Sequence, residues 1–337
     1  MNSLGRITAA VNFETPDRVP VIAQVFGHAA TLNNVSLGDY VRHGELLARC
    51  QMKALEHYGY DAVFALMDVN VETEAVGSVL TYQADQYPVV KSYVLSKVAD
   101  LDGLSVPNPH EAGRMPELLK AARVLRHEVG DDVLVVGCVL GPMTLATQLL
   151  GIESALYLAI DRPESFARLL DFAVEVVMRF GEAQIEAGAH LPVVFDPSAS
   201  PAVVPHQFFR EFELPRLKRV FASFKQAGAV ANWLHIAGPT GPILPLYPQA
   251  GVNIANFDYY VDPLDAQQAL PRTCLDGNIK PLSFVEATPE EIAAESSRLL
   301  KLFAHRGGFI LSPGCEIPPE SKPENIEAMV LSAREVR

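Results

Sequence analysis

The feature that most constrains this chain is a recurrence of eight short runs rich in Val, Ile and Phe, each followed by a longer stretch of helical composition. The runs cover residues 19–26, 61–69, 133–140, 191–196, 230–237, 252–258, 273–278 and 308–313. Between them lie 37–58, 115–129, 142–188, 206–225, 243–249, 263–270 and 289–305, and 322–336 closes the chain. Apolar runs of this length read as strands buried on both faces, which need helices to cover them; the alternation therefore predicts parallel strands joined by crossover helices. Eight such units close into an α/β fold, a (β/α)8 TIM-type barrel. An open doubly wound sheet would call for a Gly-rich phosphate loop after the first strand, and Val25-Phe26-Gly27-His28 does not supply one. We read residues 1–337 as one barrel domain, with an insertion at about 77–114 passing over the barrel mouth.

Charge narrows the partners. With 27 Lys and Arg against 40 Asp and Glu the formal net charge is -13, which argues against nucleic acid and anionic membrane surfaces. The opening MNSLGRITAAVNFETPDR has no basic end, apolar core or small-residue cleavage site, so a cytoplasmic enzyme is expected. Residues 133–152 are uncharged and long enough to span a bilayer, but Gly141-Pro142 in their middle fits a buried strand, a turn and a helix. Cys50, Cys138, Cys274 and Cys315 show no CxxC spacing, and no disulfides are expected.

In such barrels the chemistry sits where the strands end, at the carboxyl-terminal face. The strand ends here carry His28, Asp68 with Asn70, Cys138, Asp196, His235, Asp258, Asn278 and Cys315. His235 lies in Trp233-Leu234-His235-Ile236-Ala237-Gly238, where alternation puts His235 and Ala237 on one face. Alone, it reads equally as a core histidine bonded to a carbonyl, and Cys315 alone reads as a small buried hydrophobe. Together they place an imidazole and a thiol on one rim, half of a zinc site whose third ligand could come from Asp196, Glu316 or Asp258. Asp68 and Asp196 read as carboxylates that orient a substrate or act as base, whereas Asp258 and Asn278 read first as caps. Tyr259 and Tyr260 read as packing residues, or as a face for a cationic or flat substrate.

Taken in order, Pro16-Asp17-Arg18-Val19-Pro20, the Asp68 segment, Gly141-Pro142-Met143-Thr144-Leu145, Asp196-Pro197-Ser198-Ala199-Ser200, the His235 segment, Gly277-Asn278-Ile279, the Cys315 segment and Pro323-Glu324-Asn325-Ile326 resemble the uroporphyrinogen decarboxylase superfamily. Within it they resemble the branch of corrinoid (cobalamin)-dependent methyltransferases. The resemblance implies a distorted (β/α)8 barrel, often dimeric. It also implies departures from the decarboxylases themselves: no arginine in residues 20–34, Gln148 where their tyrosine is expected, and Cys315 where their late histidine is expected. The methyltransferase branch implies zinc on a His-x-Cys pair and a later cysteine; His235 and Cys315 match two of these, and Ala237 replaces the third. The implied activity is methyl transfer between a small substrate and a corrinoid on a separate protein, with its direction open. Asp68, His235 and Cys315 are then the catalytic candidates, and His28, Asn70, Gln148, Asp196 and Asn278 the substrate-binding ones. The competing readings are a decarboxylating lyase and a non-catalytic ligand-binding barrel.

Overall fold

The structure is a computed structural model that describes residues 1–335; the ends of the expected last helix and of the 1–337 domain lie outside the described residues. Seven parallel strands form one sheet in the order β1 (Ala62–Ala65), β4 (Leu134–Leu140), β5 (Leu191–Phe195), β6 (Trp233–His235), β7 (Ile254–Asn256), β8 (Cys274–Ile279) and β9 (Phe309–Pro313). The expected first strand is the irregular eighth stave. Its Ile22 N–H donates to Leu311 O, and its Val21 O accepts from Asp61 N at 2.8 Å, so the segment bridges β9 and β1 and closes the barrel. It makes only the single Val21–Leu311 bridge, because Gln24 turns to a φ of +48° and interrupts the extended backbone.

Side-chain parity along the staves divides the core. Phe64, Val136, Val193, Phe195, Trp233, Ile254, Cys274 and Ile310 fill the barrel interior, while Val63, Val135, Val194, Leu234, Ala255 and Leu311 pack outward against the helices. The expected helical stretch at 142–188 is three helices, Pro142–Leu150, Ile152–Asp161 and Pro163–Glu186. Gly151 and Pro163 separate them, and the first two meet at 107°. Among the described residues, no single helix is long and apolar enough to cross a membrane.

The run expected at 61–69 is a strand only over Ala62–Ala65; beyond it the chain leaves the sheet and carries Asp68 and Asn70 outward on a loop. Within 77–114 the alternating residues form an antiparallel hairpin, β2 (Val79–Thr81) with β3 (Val89–Ser92), followed by a short 3-10 turn at Val98–Gly103. The four cysteines are free, and all but Cys315 are buried.

Candidate active site

At the carboxyl-terminal end of the barrel lies a cavity of about 580 Å³. Its floor is Phe26, Leu66, Phe195 and His235, and its outer wall is Tyr87 to Val90 and Tyr93 of the hairpin region. Asp68, Val69, Asn70, Gln148, Pro197, Ala237, Cys315 and Glu316 complete the lining. The hairpin covers the barrel end because it is tied down at named points. The Tyr87 hydroxyl donates to Glu316 Oε1 at 2.5 Å, and the Asn70 amide donates to Pro88 O at 2.8 Å.

His235 enters from the end of β6, on the inward-facing parity of Trp233. It is 2% exposed, and its ring packs against that of Phe195 at 4.4 Å, tilted by 43°. Neither ring nitrogen has a hydrogen-bond partner among the described residues. Burial pushes its pKa down to about 3, so at neutral pH the imidazole is uncharged and keeps one lone pair. Cys315 follows β9. Burial pushes its thiol up to about 12, which holds the proton on sulfur.

Next to it, Glu316 also accepts the Gly27 N–H at 3.2 Å, and burial lifts its carboxyl to about 7. Opposite, Asp68 is gripped by both terminal nitrogens of Arg114 and by the Asn70 N–H at 2.8 Å. Burial pushes the Asp68 carboxyl above the ordinary carboxylate range while Arg114 pulls the other way. Arg114 also bonds Glu74 Oε2 at 2.7 Å and Val41 O at 2.9 Å, and Tyr82 lies against it. Gln148 accepts the Thr73 hydroxyl through Oε1.

Of the residues singled out from sequence, Asp68, Asn70, Gln148, His235, Cys315 and Glu316 therefore share one cavity. His28, Asp196, Asn278 and Asp258 are placed elsewhere. His28 is buried between the Tyr58 hydroxyl at 2.7 Å and Pro319 O at 3.1 Å. Asp196 lies under the Gly141–Thr144 turn, where it accepts Thr144 N at 2.7 Å, Thr144 Oγ1 at 2.6 Å and Met143 N at 3.4 Å, capping the helix that starts at Pro142. Gly141 is required there, since a Cβ would meet the Asp196 side chain at 2.2 Å. Asn278 donates to Asp258 O and Val261 O, and Asp258 in turn accepts Gly238 N at 2.7 Å.

The donor set does not fit the three-ligand zinc centre that the resemblance implies. His235 and Cys315 reach the cavity, and Ala237 brings no ligand atom. Among the described residues no three His, Cys, Asp or Glu side chains converge as a metal-holding group. Sequence reasoning missed Arg114 and Tyr87. Both fall in the 77–114 insertion expected over the barrel mouth, but neither lies at the carboxyl end of a barrel strand, and nothing in their local sequence marks them out from their neighbours.

The family described as uroporphyrinogen decarboxylase (URO-D) matches residues 2–336. The chain is 30% identical over 339 residues to the methylcobamide:CoM methyltransferase MtaA of Methanosarcina barkeri, covering 98% of this chain and 97% of that protein. It is 27% identical over 301 residues to the uroporphyrinogen decarboxylase of Cellvibrio japonicus, covering 87% and 83%. Among solved structures, a methyltransferase from Methanosarcina mazei superimposes with a TM-score of 0.91 at 28% identity, covering 99% of each chain.

Proposed function

The chain belongs to the uroporphyrinogen decarboxylase family, and from that premise we propose that it is an enzyme moving a methyl group between a small substrate and a corrinoid carried on a separate protein. The likeness to methylcobamide-linked relatives along nearly the whole chain supports this. The observation that carries it is the open-mouthed, mostly apolar cavity that His235 and Cys315 both line. Exposed Val69, Val89 and Tyr93 surround its entrance, an apolar rim suited to a flat macrocycle presented by a partner. The corrinoid supplies the cobalt centre that carries the methyl group.

The chain's own residues do the rest. The apolar walls exclude water from the transfer, and the Asp68–Arg114 pair fixes the loop that bears Asn70. Where the substrate is the methyl acceptor, His235, neutral and unpartnered, offers a lone pair to the proton that the acceptor heteroatom gives up as it gains the methyl group. No step is assigned to zinc.

Decarboxylation of a porphyrinogen with four carboxylates is disfavoured by the same walls. Among the described residues no Lys or Arg lines the cavity, and such a substrate would be buried beside Asp68 and Glu316 without counter-ions. The test is anaerobic absorption spectroscopy of cob(I)alamin and methylcobalamin with the protein, across methoxy, methylamine and thiol compounds. Conversion between the two spectra is expected, slowed at least a hundredfold in His235→Ala and Cys315→Ala. Release of carbon dioxide from a porphyrinogen with no change at cobalt would overturn the proposal.

A further inference from the structure

We propose that the small molecule this cavity takes carries no anionic group and has a flat apolar body, and that the pocket discriminates against methyl compounds and acceptors bearing a sulfonate or carboxylate. The methyl-transfer reading supplies the identity of the site; the charge of its walls supplies the selectivity.

Asp68 and Glu316 are the ionisable carboxyls of the lining, and no cation stands with them in the cavity wall. The nearest guanidinium at this wall, Arg114, sits behind Asp68 and is shared between two acids, Asp68 and Glu74, with Val41 O as a further acceptor. That group of three therefore carries more negative than positive charge. Glu316 is held only by the neutral Tyr87 hydroxyl and the Gly27 N–H. An anion entering here gives up its hydration and meets no counter-ion in the cavity wall.

A cation is treated differently. Both oxygens of Asp68 face Arg114, but Glu316 gives only Oε1 to its two donors, which leaves Oε2 for a cationic guest.

Neutral recognition is provided for. Gln148 gives Oε1 to Thr73, which leaves its Nε2 donors for an uncharged oxygen or sulfur. Phe195 and Phe26, set edge to face at 6.1 Å, form an aromatic floor with room above it for a ring.

The experiment is titration calorimetry on the intact protein with three compounds of one frame: 4-methoxybenzyl alcohol, 4-methoxyphenylacetate and 4-methoxybenzylamine. The alcohol and the amine are each expected to bind at least tenfold more tightly than the carboxylate. Glu316→Gln keeps the acceptor oxygen for Tyr87 and Gly27 and should narrow the gap between alcohol and carboxylate. Val69→Arg, which places a cation at the half-exposed rim, should close it. Equal or tighter binding of the carboxylate, or no binding of the alcohol, overturns the assignment. Because the titration contains no corrinoid, this result is independent of the cobalt spectroscopy, and either reading can fail alone.

Discussion

Replacing Arg114 by Met should destabilise the protein by about 3–5 kcal/mol, the cost of leaving one partner of a buried ion pair alone. The Arg114 and Asp68 side chains are 8% and 2% exposed, so solvent cannot take over the lost interaction. The substitution strands two carboxylates at once, since Glu74 also loses its 2.7 Å contact. What remains for Asp68 is the Asn70 N–H. The penalty has a sign in pH. Burial already raises the folded pKa of Asp68 above its ordinary 3.8, and removing Arg114 removes the main opposing influence. A carboxyl whose folded pKa lies above its unfolded value weakens the fold progressively as pH rises from the unfolded value through the folded one. The variant should therefore lie nearest to wild type at pH 5 and fall further behind by pH 8. Asp68→Asn, which leaves Arg114 its Glu74 partner, should cost less, and combining both changes should recover part of the Arg114→Met loss. Urea unfolding followed by circular dichroism at the two pH values measures all three. A loss below about 1 kcal/mol, or one that does not change with pH, would refute the reasoning that this pair is charged and buried.

Asp276, fully buried in the barrel interior with Asn256 Nδ2 at 3.1 Å, is pushed up to about 7 by burial. Its folded pKa exceeds its unfolded one, so wild-type stability should decline by about 3 kcal/mol between pH 5 and pH 8 through this group, and Asp276→Asn should flatten that slope in urea titrations. Gly141→Ala puts a methyl group 2.2 Å from the Asp196 side chain and should lower stability by about 1–3 kcal/mol, read as a fall in the thermal midpoint. Ala237→Cys supplies the ligand missing beside His235 and Cys315. It should raise zinc affinity at least a hundredfold in chelator competition, and an unchanged affinity would mean that position 237 does not face the other two.

The eight apolar runs made the barrel legible because burial on both sheet faces leaves a mark in composition that survives local irregularity, even at the first stave, where Gln24 prevents a regular strand. The rule that chemistry sits at strand ends brought out Asp68, Asn70, His235 and Cys315, and the resemblance added Gln148; all five line one cavity. The same rule brought out Asp196, which the fold turns to another use. Parity would have separated the two cases. Val193 and Phe195 face the interior, so the next residue points to the helices, where Asp196 caps the helix beginning at Pro142, whereas His235 keeps the inward parity of Trp233. Parity could not have supplied Arg114. It stands 46 residues after Asp68, beyond the hairpin, and no local pattern announces that its guanidinium comes back to a strand end. Tyr87 reaches Glu316 across 229 residues in the same way. Which side chains line a site is thus largely a matter of local periodicity, but the charge of that site depends on which distant groups arrive to neutralise it. Here Arg114 arrives already divided between two acids. That division leaves the cavity lining without a cation, and the proposed discrimination against anions rests on it.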